Sequence, residues 1–270
     1  MSPSDLETIV SAHYAGDNIA ARIIDALGLQ AAGPGSVSVD TLFPADQLHH
    51  GGVGLTERMA EAAGLSSGQV VLDSGSGIGG SGRFLADRFD CQISAVDLSP
   101  DFVETAQELD RLVGLSGRIT HQVGSVTDLP FASDQFDVVW CQNVTMNVED
   151  KSTMFAEAFR VLKPGGVYVL SHIASTGDAP IDFPAPWART QESSFTTPPD
   201  LFLQALADAG FSGAKAEPKG DSAPPPPPPD AKADESPAMG ENMSLRRENM
   251  MRAVEDGRLV TMLVTARKPA

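Results

Sequence analysis

The stretch "VVLDSGSGIGG", Val70–Gly80, decides the fold. Val70, Val71 and Leu72 form a short apolar run of the kind that becomes a buried strand. Gly75, Gly77 and Gly80 then satisfy the spacing G-x-G-x-x-G. The residues that follow, "GGSGRFLADRF", read as a helix. Strand, glycine turn and helix in that order make the first unit of a β-α fold. The glycines let the backbone approach a ligand, and the first N–H groups of the helix face it.

The alternation continues outward from there. "QISAVDLS" is a strand, and "PDFVETAQELDRLVG" is a helix that opens on proline. "GRITHQVGS" and "QFDVVWCQN" are strands, and "KSTMFAEAFRVL" is a helix closed by "KPGG". "VYVLSHIAS", "PDLFLQALADAGF" and "SGAKAEP" follow as strand, helix and strand. Such a run predicts an α/β fold, a mostly parallel sheet with helices on both faces. The last segments, a helix in 241–257 and the β-branched strand "RLVTMLVTARKP", return the chain to the sheet. Between them and the preceding strand lies "KGDSAPPPPPPDAKADESPAMG", with six consecutive prolines and no aromatic residue. Proline enters neither a sheet interior nor a helix interior, so 218–238 reads as an exposed insertion, about 19 Å long over the prolines if in polyproline II. Upstream, 5–28 carries apolar residues at helical spacing and ends on Gly28. Residues 1–52 are therefore expected to form a helical cap, and 53–270 the ligand-binding domain.

The chain has 270 residues, a net charge of -17 and two cysteines, Cys91 and Cys141. That charge repels nucleic acid and anionic lipid and fits a role in solubility. No apolar run approaches the ~20 residues of a membrane span. The first ten residues show neither a basic n-region nor an apolar h-region, so no signal peptide is expected. Both cysteines are expected to be buried thiols, which suits a reducing, cytoplasmic setting.

Asp97 lies 24 residues after Asp73, at the end of the second strand. A carboxylate there can accept both hydroxyls of a ribose. Asp73, just before the glycines, would repel a phosphate but suits a cofactor carrying an ammonium and a sulfonium. A dinucleotide, or a glycine turn with no ligand at all, are the other readings of this loop.

Five blocks, "VVLDSGSGIGG", "AVDLSP", "GSVTDLPF", "FDVVWCQNV" and "FRVLKPGG", stand in the order and spacing of one family. Through them the chain resembles the class I S-adenosylmethionine-dependent methyltransferases, over about residues 45–215. The resemblance implies a Rossmann-like, seven-stranded fold and S-adenosylmethionine as cofactor. It implies that Gly75, Ser76 and Gly77 cradle the methionine part, that Asp97 binds the ribose and that Leu98 packs on adenine. The family usually carries an acidic residue for the adenine amino group where this chain has Ser125. The expected cofactor set is therefore Asp73, Gly75, Ser76, Gly77, Asp97, Leu98, Ser125, Val126 and Gln142.

A second stretch, "DQLHHGG", Asp46–Gly52, is similar to one found before the cofactor domain in sarcosine/dimethylglycine-type methyltransferases, and "WCQNVTMNVEDK" also looks closest to that branch. The resemblance implies that Gln47, His49 and His50 line the mouth of the site and that Gly51-Gly52 lets the backbone pass close to the cofactor. Adjacent histidines point apart in any regular structure, so one of the pair reaches the site or both are surface. His13, His121 and His172 have no zinc-like spacing, so no metal is expected. "DQLHHGG" is expected to serve the closed complex and to contribute little to the core.

Ligands in open α/β sheets bind beyond the carboxyl ends of the strands. Asn143, Met146 and Asn147, after the fourth strand, are therefore candidates for the acceptor side, and His172, ending the fifth, is a candidate base. The stretch 175–195 reads as a lid, with Trp187 and Phe195 packing on an acceptor and Arg189 pairing with its carboxylate. The expected reaction is methyl transfer to a small molecule, first a sarcosine- or dimethylglycine-type amine, which needs no base. The alternative is O- or C-methylation of a phenolic or quinone-like metabolite, for which His49, His50 or His172 would serve as base. More remote alternatives are an NAD-dependent oxidoreductase and a non-catalytic cofactor-binding module.

Overall fold

The computed structural model describes residues 3–49, 51–177, 179–218, 238–239 and 242–270. The strands are β1 (Val70–Ser74), β2 (Gln92–Asp97), β3 (Ile119–Val123), β4 (Phe136–Gln142), β5 (Leu162–Ser175), β6 (Ser212–Pro218) and β7 (Leu259–Arg267). The α-helices are α1 (Pro3–Tyr14), α2 (Ile19–Ala26), α3 (Val39–Asp46), α4 (Gly52–Ala63), α5 (Gly80–Phe89), α6 (Pro100–Val113), α7 (Lys151–Val161), α8 (Pro199–Asp208) and α9 (Met243–Glu255).

The strands form one sheet in the order β3-β2-β1-β4-β5-β7-β6. β1 to β5 pair in parallel, and β7 runs antiparallel between β5 and β6. Chain order reverses between β1 and β4, which opens a crevice at the carboxyl ends of the central strands. The local chemistry is consistent with these elements. Ser99 caps α6 by accepting from the Phe102 N–H, and Pro100 takes the first helical turn. Asp150 caps α7 by accepting from the Thr153 N–H at 2.9 Å. One apolar cluster fills the sheet face under α7 and α8, around Phe136, Phe155, Tyr168 and Phe202. Another lies on the opposite face under α4 and α5, around Leu55, Phe84 and Trp140.

Two features depart from the sequence reading. Residues 39–46 form a helix, α3, beyond the 5–28 stretch in which the apolar spacing predicts helix. Its Leu42 and Ala45 pack with Ile19 and Ile23 of α2 against Phe102 and Leu109 of α6 and Ile78 of the glycine turn. An eight-residue helix with Pro44 inside it has little intrinsic stability, so this packing is what holds it. β5 also begins earlier than expected: Leu162 already pairs with Phe136, so the strand includes "KPGG". Residues 219–237 of the expected insertion 218–238 lie outside the described residues. Cys91 and Cys141 are both free and buried, Cys141 within β4 and Cys91 just before β2. Among the described residues, no helix is long and apolar enough to cross a membrane.

Candidate functional site

The crevice contains a cavity of about 680 Å³. Its floor is made by the turns after β1, β2, β3 and β4, and its roof by α1, the end of α3, Trp187 and α9. The glycine turn is shaped for close approach. Gly75 has φ +81°, and a Cβ there would fall 2.3 Å from the Val144 side chain. At Gly80 a Cβ would fall 2.4 Å from the Asp46 carbonyl oxygen. The positive φ and the lack of room at Gly75 together demand glycine.

Asp97 ends β2 and organises the turn. Its Oδ2 accepts from the Gly77 N–H at 2.7 Å, and its Oδ1 from the Ser99 N–H at 2.9 Å. Burial raises its pKa, against the pull of these hydrogen bonds. Asp73, one residue before the end of β1, is fully buried with its Oδ2 unpartnered. Burial, and then the neighbouring Asp97 charge, push its pKa up to about 7. The Ser76 hydroxyl oxygen is likewise buried with no partner. A buried carboxylate oxygen with no partner is costly in the free protein and favours a cation beside it.

Gln142, at the end of β4, is the junction of a polar network. Its Oε1 accepts from Ser81 Oγ at 2.7 Å and Trp140 Nε1 at 3.1 Å. Its Nε2 lies 3.1 Å from His49 Nδ1. His49 Nε2 lies 3.4 Å from Thr56 Oγ1. A donating Gln142 amide fits the His49 tautomer with its proton on Nε2. The loop after α3 thus brings Gln47, Leu48 and His49 to the cavity wall.

Asp46 itself behaves differently from the expectation for "DQLHHGG". It is buried, and its Oδ2 accepts from Arg83 Nε at 3.2 Å and Nη2 at 2.9 Å. Arg83 Nη1 binds Asp110 at 2.9 Å, and His121 Nε2 lies 2.7 Å from the other Asp110 oxygen. Burial opposes the Arg83 charge, but Asp46 and Asp110 overcome it and hold its pKa above the ordinary value. The front of the motif is therefore a buried ionic anchor. Gly51, at φ +102°, caps α4 and lies outside the cavity lining.

On the acceptor side, Asn143 takes the left-handed region at φ 57° and accepts from Ser171 Oγ at 2.6 Å. Asn147 joins roof to floor. Its Oδ1 accepts from Tyr14 Oη at 3.0 Å, and its Nδ2 donates to the Trp187 carbonyl at 2.8 Å. Burial, and then Asp97, drive the Tyr14 pKa up, so its hydroxyl keeps its proton. Met146, Ile173, Trp187, Met243 and Met250 form an apolar wall, and Arg247 lines the cavity beside them.

Most of the residues expected from the sequence converge here: Gln47, His49, Asp73, Gly75, Ser76, Gly77, Asp97, Leu98, Ser125, Val126, Gln142, Asn143, Met146, Asn147 and Trp187 all line this one cavity. His172 does not. Its ring is fully buried and stacked 3.9 Å from Phe202, with Nδ1 2.7 Å from Thr145 Oγ1 and Nε2 3.0 Å from the Thr197 carbonyl. Burial pulls its pKa down to about 3, so it is a neutral core histidine with both nitrogens engaged. Arg189 is exposed outside the lining, and so Arg247 is the arginine that meets the cavity. Phe195 is also outside it; its backbone N–H binds the Met146 carbonyl. His50 lies outside the described residues. The sequence reading missed Glu7 and Tyr14 of α1 and the α9 methionines. Helical periodicity showed that these helices exist, but carried no sign of what they face.

Residues 72–170 match the family described as "Methyltransferase domain". Phosphoethanolamine N-methyltransferase 1 of Arabidopsis thaliana is 29% identical over 200 residues, 74% of this chain and 40% of that protein. Sarcosine/dimethylglycine N-methyltransferase of Halorhodospira halochloris is 30% identical over 156 residues, 57% of this chain and 56% of that protein. The match thus spans less than two thirds of either relative's length. In fold, geranyl diphosphate C-methyltransferase from Streptomyces coelicolor A3(2), solved with S-adenosyl-L-homocysteine, superposes with a TM-score of 0.69 at 20% identity, covering 99% of this chain and 98% of that one.

Proposed function

We infer that this chain moves a methyl group from S-adenosylmethionine to a small-molecule acceptor, a reading in keeping with the similarity of residues 72–170 to a methyltransferase domain. The single observation that carries this reading is the pair of buried, unpartnered oxygens on Asp73 and Ser76 beside the glycine turn. They suit the ammonium end of an amino-acid tail and would oppose a pyrophosphate, which favours this cofactor over a dinucleotide. Asp97, at the tip of β2, is the residue for the ribose hydroxyls. When bound, S-adenosylmethionine supplies a methyl already activated on a sulfonium. The chain's residues therefore position and exclude water, with no covalent step of their own. Gln142 and His49 border the space between cofactor turn and acceptor wall, and Tyr14 and Asn147 hold the roof over it.

For the acceptor, the first reading is a sarcosine- or dimethylglycine-type amine, taken up to N-methyl product. Support comes from the two N-methyltransferase relatives and from Arg247, a cation at the cavity able to meet an acceptor carboxylate. The second reading is O- or C-methylation of a phenolic or quinone-like metabolite. The wall of Met146, Trp187, Met243 and Met250 favours it, being apolar where a small zwitterion has nothing to bury. Unpaired, buried Cys91 and Cys141 fit a cytoplasmic location.

The test is an acceptor screen with adenosylhomocysteine formation as readout. Turnover on glycine-derived amines supports the first reading, and turnover only on phenolic or quinone-like metabolites supports the second. Binding of adenosylhomocysteine with no turnover on any acceptor class would overturn the enzymatic reading and leave a cofactor-binding module.

A further inference from the structure

Beyond Asp97, at the far end of the same cavity, stands a carboxylate that none of these roles uses. Glu7, on α1, lies with Oε1 2.5 Å from Ser125 Oγ. The two residues are 118 positions apart in the chain, and both line the cavity with Leu98, Val126 and Thr127. Ser125 gives its hydroxyl proton to Glu7. Its oxygen in turn accepts from the Thr127 N–H at 3.2 Å and meets Thr127 Oγ1 at 2.7 Å. Its hydrogen-bonding capacity is then filled, so it has little left to offer a ligand. Glu7 makes no ion pair among the described residues, and it lines the cavity. This corner is therefore rich in acceptors and poor in donors.

The sheet register fixes what lies next to it. Asp97 is paired with Val123 across β2 and β3, and Ser125 follows two residues later. On the methyltransferase reading the ribose lies on Asp97, and Leu98, Ser125 and Val126, which line the same cavity, are the neighbours expected for its base. We propose that Glu7 recognises the 6-amino group of the cofactor's adenine, with Ser125 acting to position its carboxylate. The inference rests on the methyltransferase reading and adds to it. An amino group donates where Glu7 accepts, while a 6-oxo base would set an acceptor against a carboxylate. A site built around one hydrogen-bonding group rejects the analogue that lacks it far more strongly than an apolar site does. Because the carboxylate is carried by α1, docking of that helix and occupancy of the adenine end are linked.

Calorimetry on the full chain tests this with two probes, S-adenosylhomocysteine and its 6-oxo analogue, S-inosylhomocysteine. The wild type is expected to prefer the adenosyl compound. In Glu7→Gln the adenosyl affinity should fall by about tenfold, since a charge-assisted hydrogen bond becomes neutral. The inosyl affinity should not fall, because a glutamine amide can donate to the oxo group, so the preference narrows. In Glu7→Ala/Ser125→Asp, a carboxylate returned at residue 125 should restore the preference. A Glu7→Gln protein that weakens both compounds equally would show that Glu7 only docks α1, and the proposal would fall. Unchanged affinities for both would also overturn it, while leaving the methyltransferase reading intact. Failure of the wild type to bind S-adenosylhomocysteine at all would overturn both.

Discussion

Asp73 and Asp97 show how one site asks opposite things of two carboxylates. Asp97 has backbone donors on both oxygens, so it is held as a ready acceptor. Its removal should weaken S-adenosylhomocysteine binding by roughly ten- to a hundredfold, since hydrogen bonds to a charged group contribute about 1.5–3 kcal/mol. Calorimetry on folded Asp97→Ala checks this, and unchanged affinity would reject the ribose assignment. Asp73 has an orphaned oxygen and a pKa raised from 3.8 to about 7. In the ligand-free protein, between those two values, the folded state keeps a proton that the unfolded chain has lost. Asp73 therefore stabilises the fold least above pH 7, and that stability falls as pH rises toward 7. A ligand ammonium reverses the preference by favouring the ionised form, so binding releases the proton. Affinity for S-adenosylhomocysteine should then rise by up to about tenfold per pH unit below 7 and level off above it. Asp73→Asn should lack that slope, and a wild type with flat affinity from pH 5.5 to 8 would sink the account.

At the scale of elements, α3 and the loop after it divide one short motif into two jobs. Asp46 closes the helix and binds Arg83 where neither is exposed, whereas His49, three residues on, faces the cavity. Removing one partner of a buried ion pair leaves the other charge stranded, which costs about 3–5 kcal/mol. Asp46→Ala should accordingly lower stability by that order in denaturant unfolding. His49→Ala should change it by under about 1 kcal/mol, yet reduce turnover by more than about tenfold through misplacement of the acceptor. Both His49 ring nitrogens meet hydrogen-bonding neighbours, Gln142 and Thr56, so the loss should be uniform across pH. Loss of only the acidic limb of the profile would instead make His49 a base. Full turnover in His49→Ala at saturating acceptor would remove the residue from the site altogether.

At the scale of the whole molecule, the fold is completed by β7, which enters antiparallel between β5 and β6 after the Pro-rich stretch. The prolines of 224–229 precede a strand that the core requires, so they interrupt the domain and do not trail from it. The segment has no aromatic residue to bury, and changing loop length alters closure entropy by only about 0.6 kcal/mol per doubling. Replacing 221–236 by a short Gly/Ser linker should keep the melting temperature within about 5 °C. A larger drop would show that the insertion packs on the domain.

Local chemistry made the sheet, the glycine turn and the residues at its strand ends legible in the sequence. Strand and helix periods are short-range patterns, and a parallel β-α fold carries its ligand at the strand tips whatever its loops do. Asp73, Asp97, Gln142 and Asn147 could thus be named from position alone. Contacts between distant segments leave no such pattern. A histidine reads the same in sequence whether it faces a cavity, as His49 does after α3, or stacks on Phe202 in the core, as His172 does. The helix of 39–46 exists because α2, α6 and the glycine turn cover it, and Glu7 meets Ser125 only because α1 reaches the turn after β3. Which carboxylate anchors a charge and which is left open to a ligand was decided by burial and by what each met across the fold.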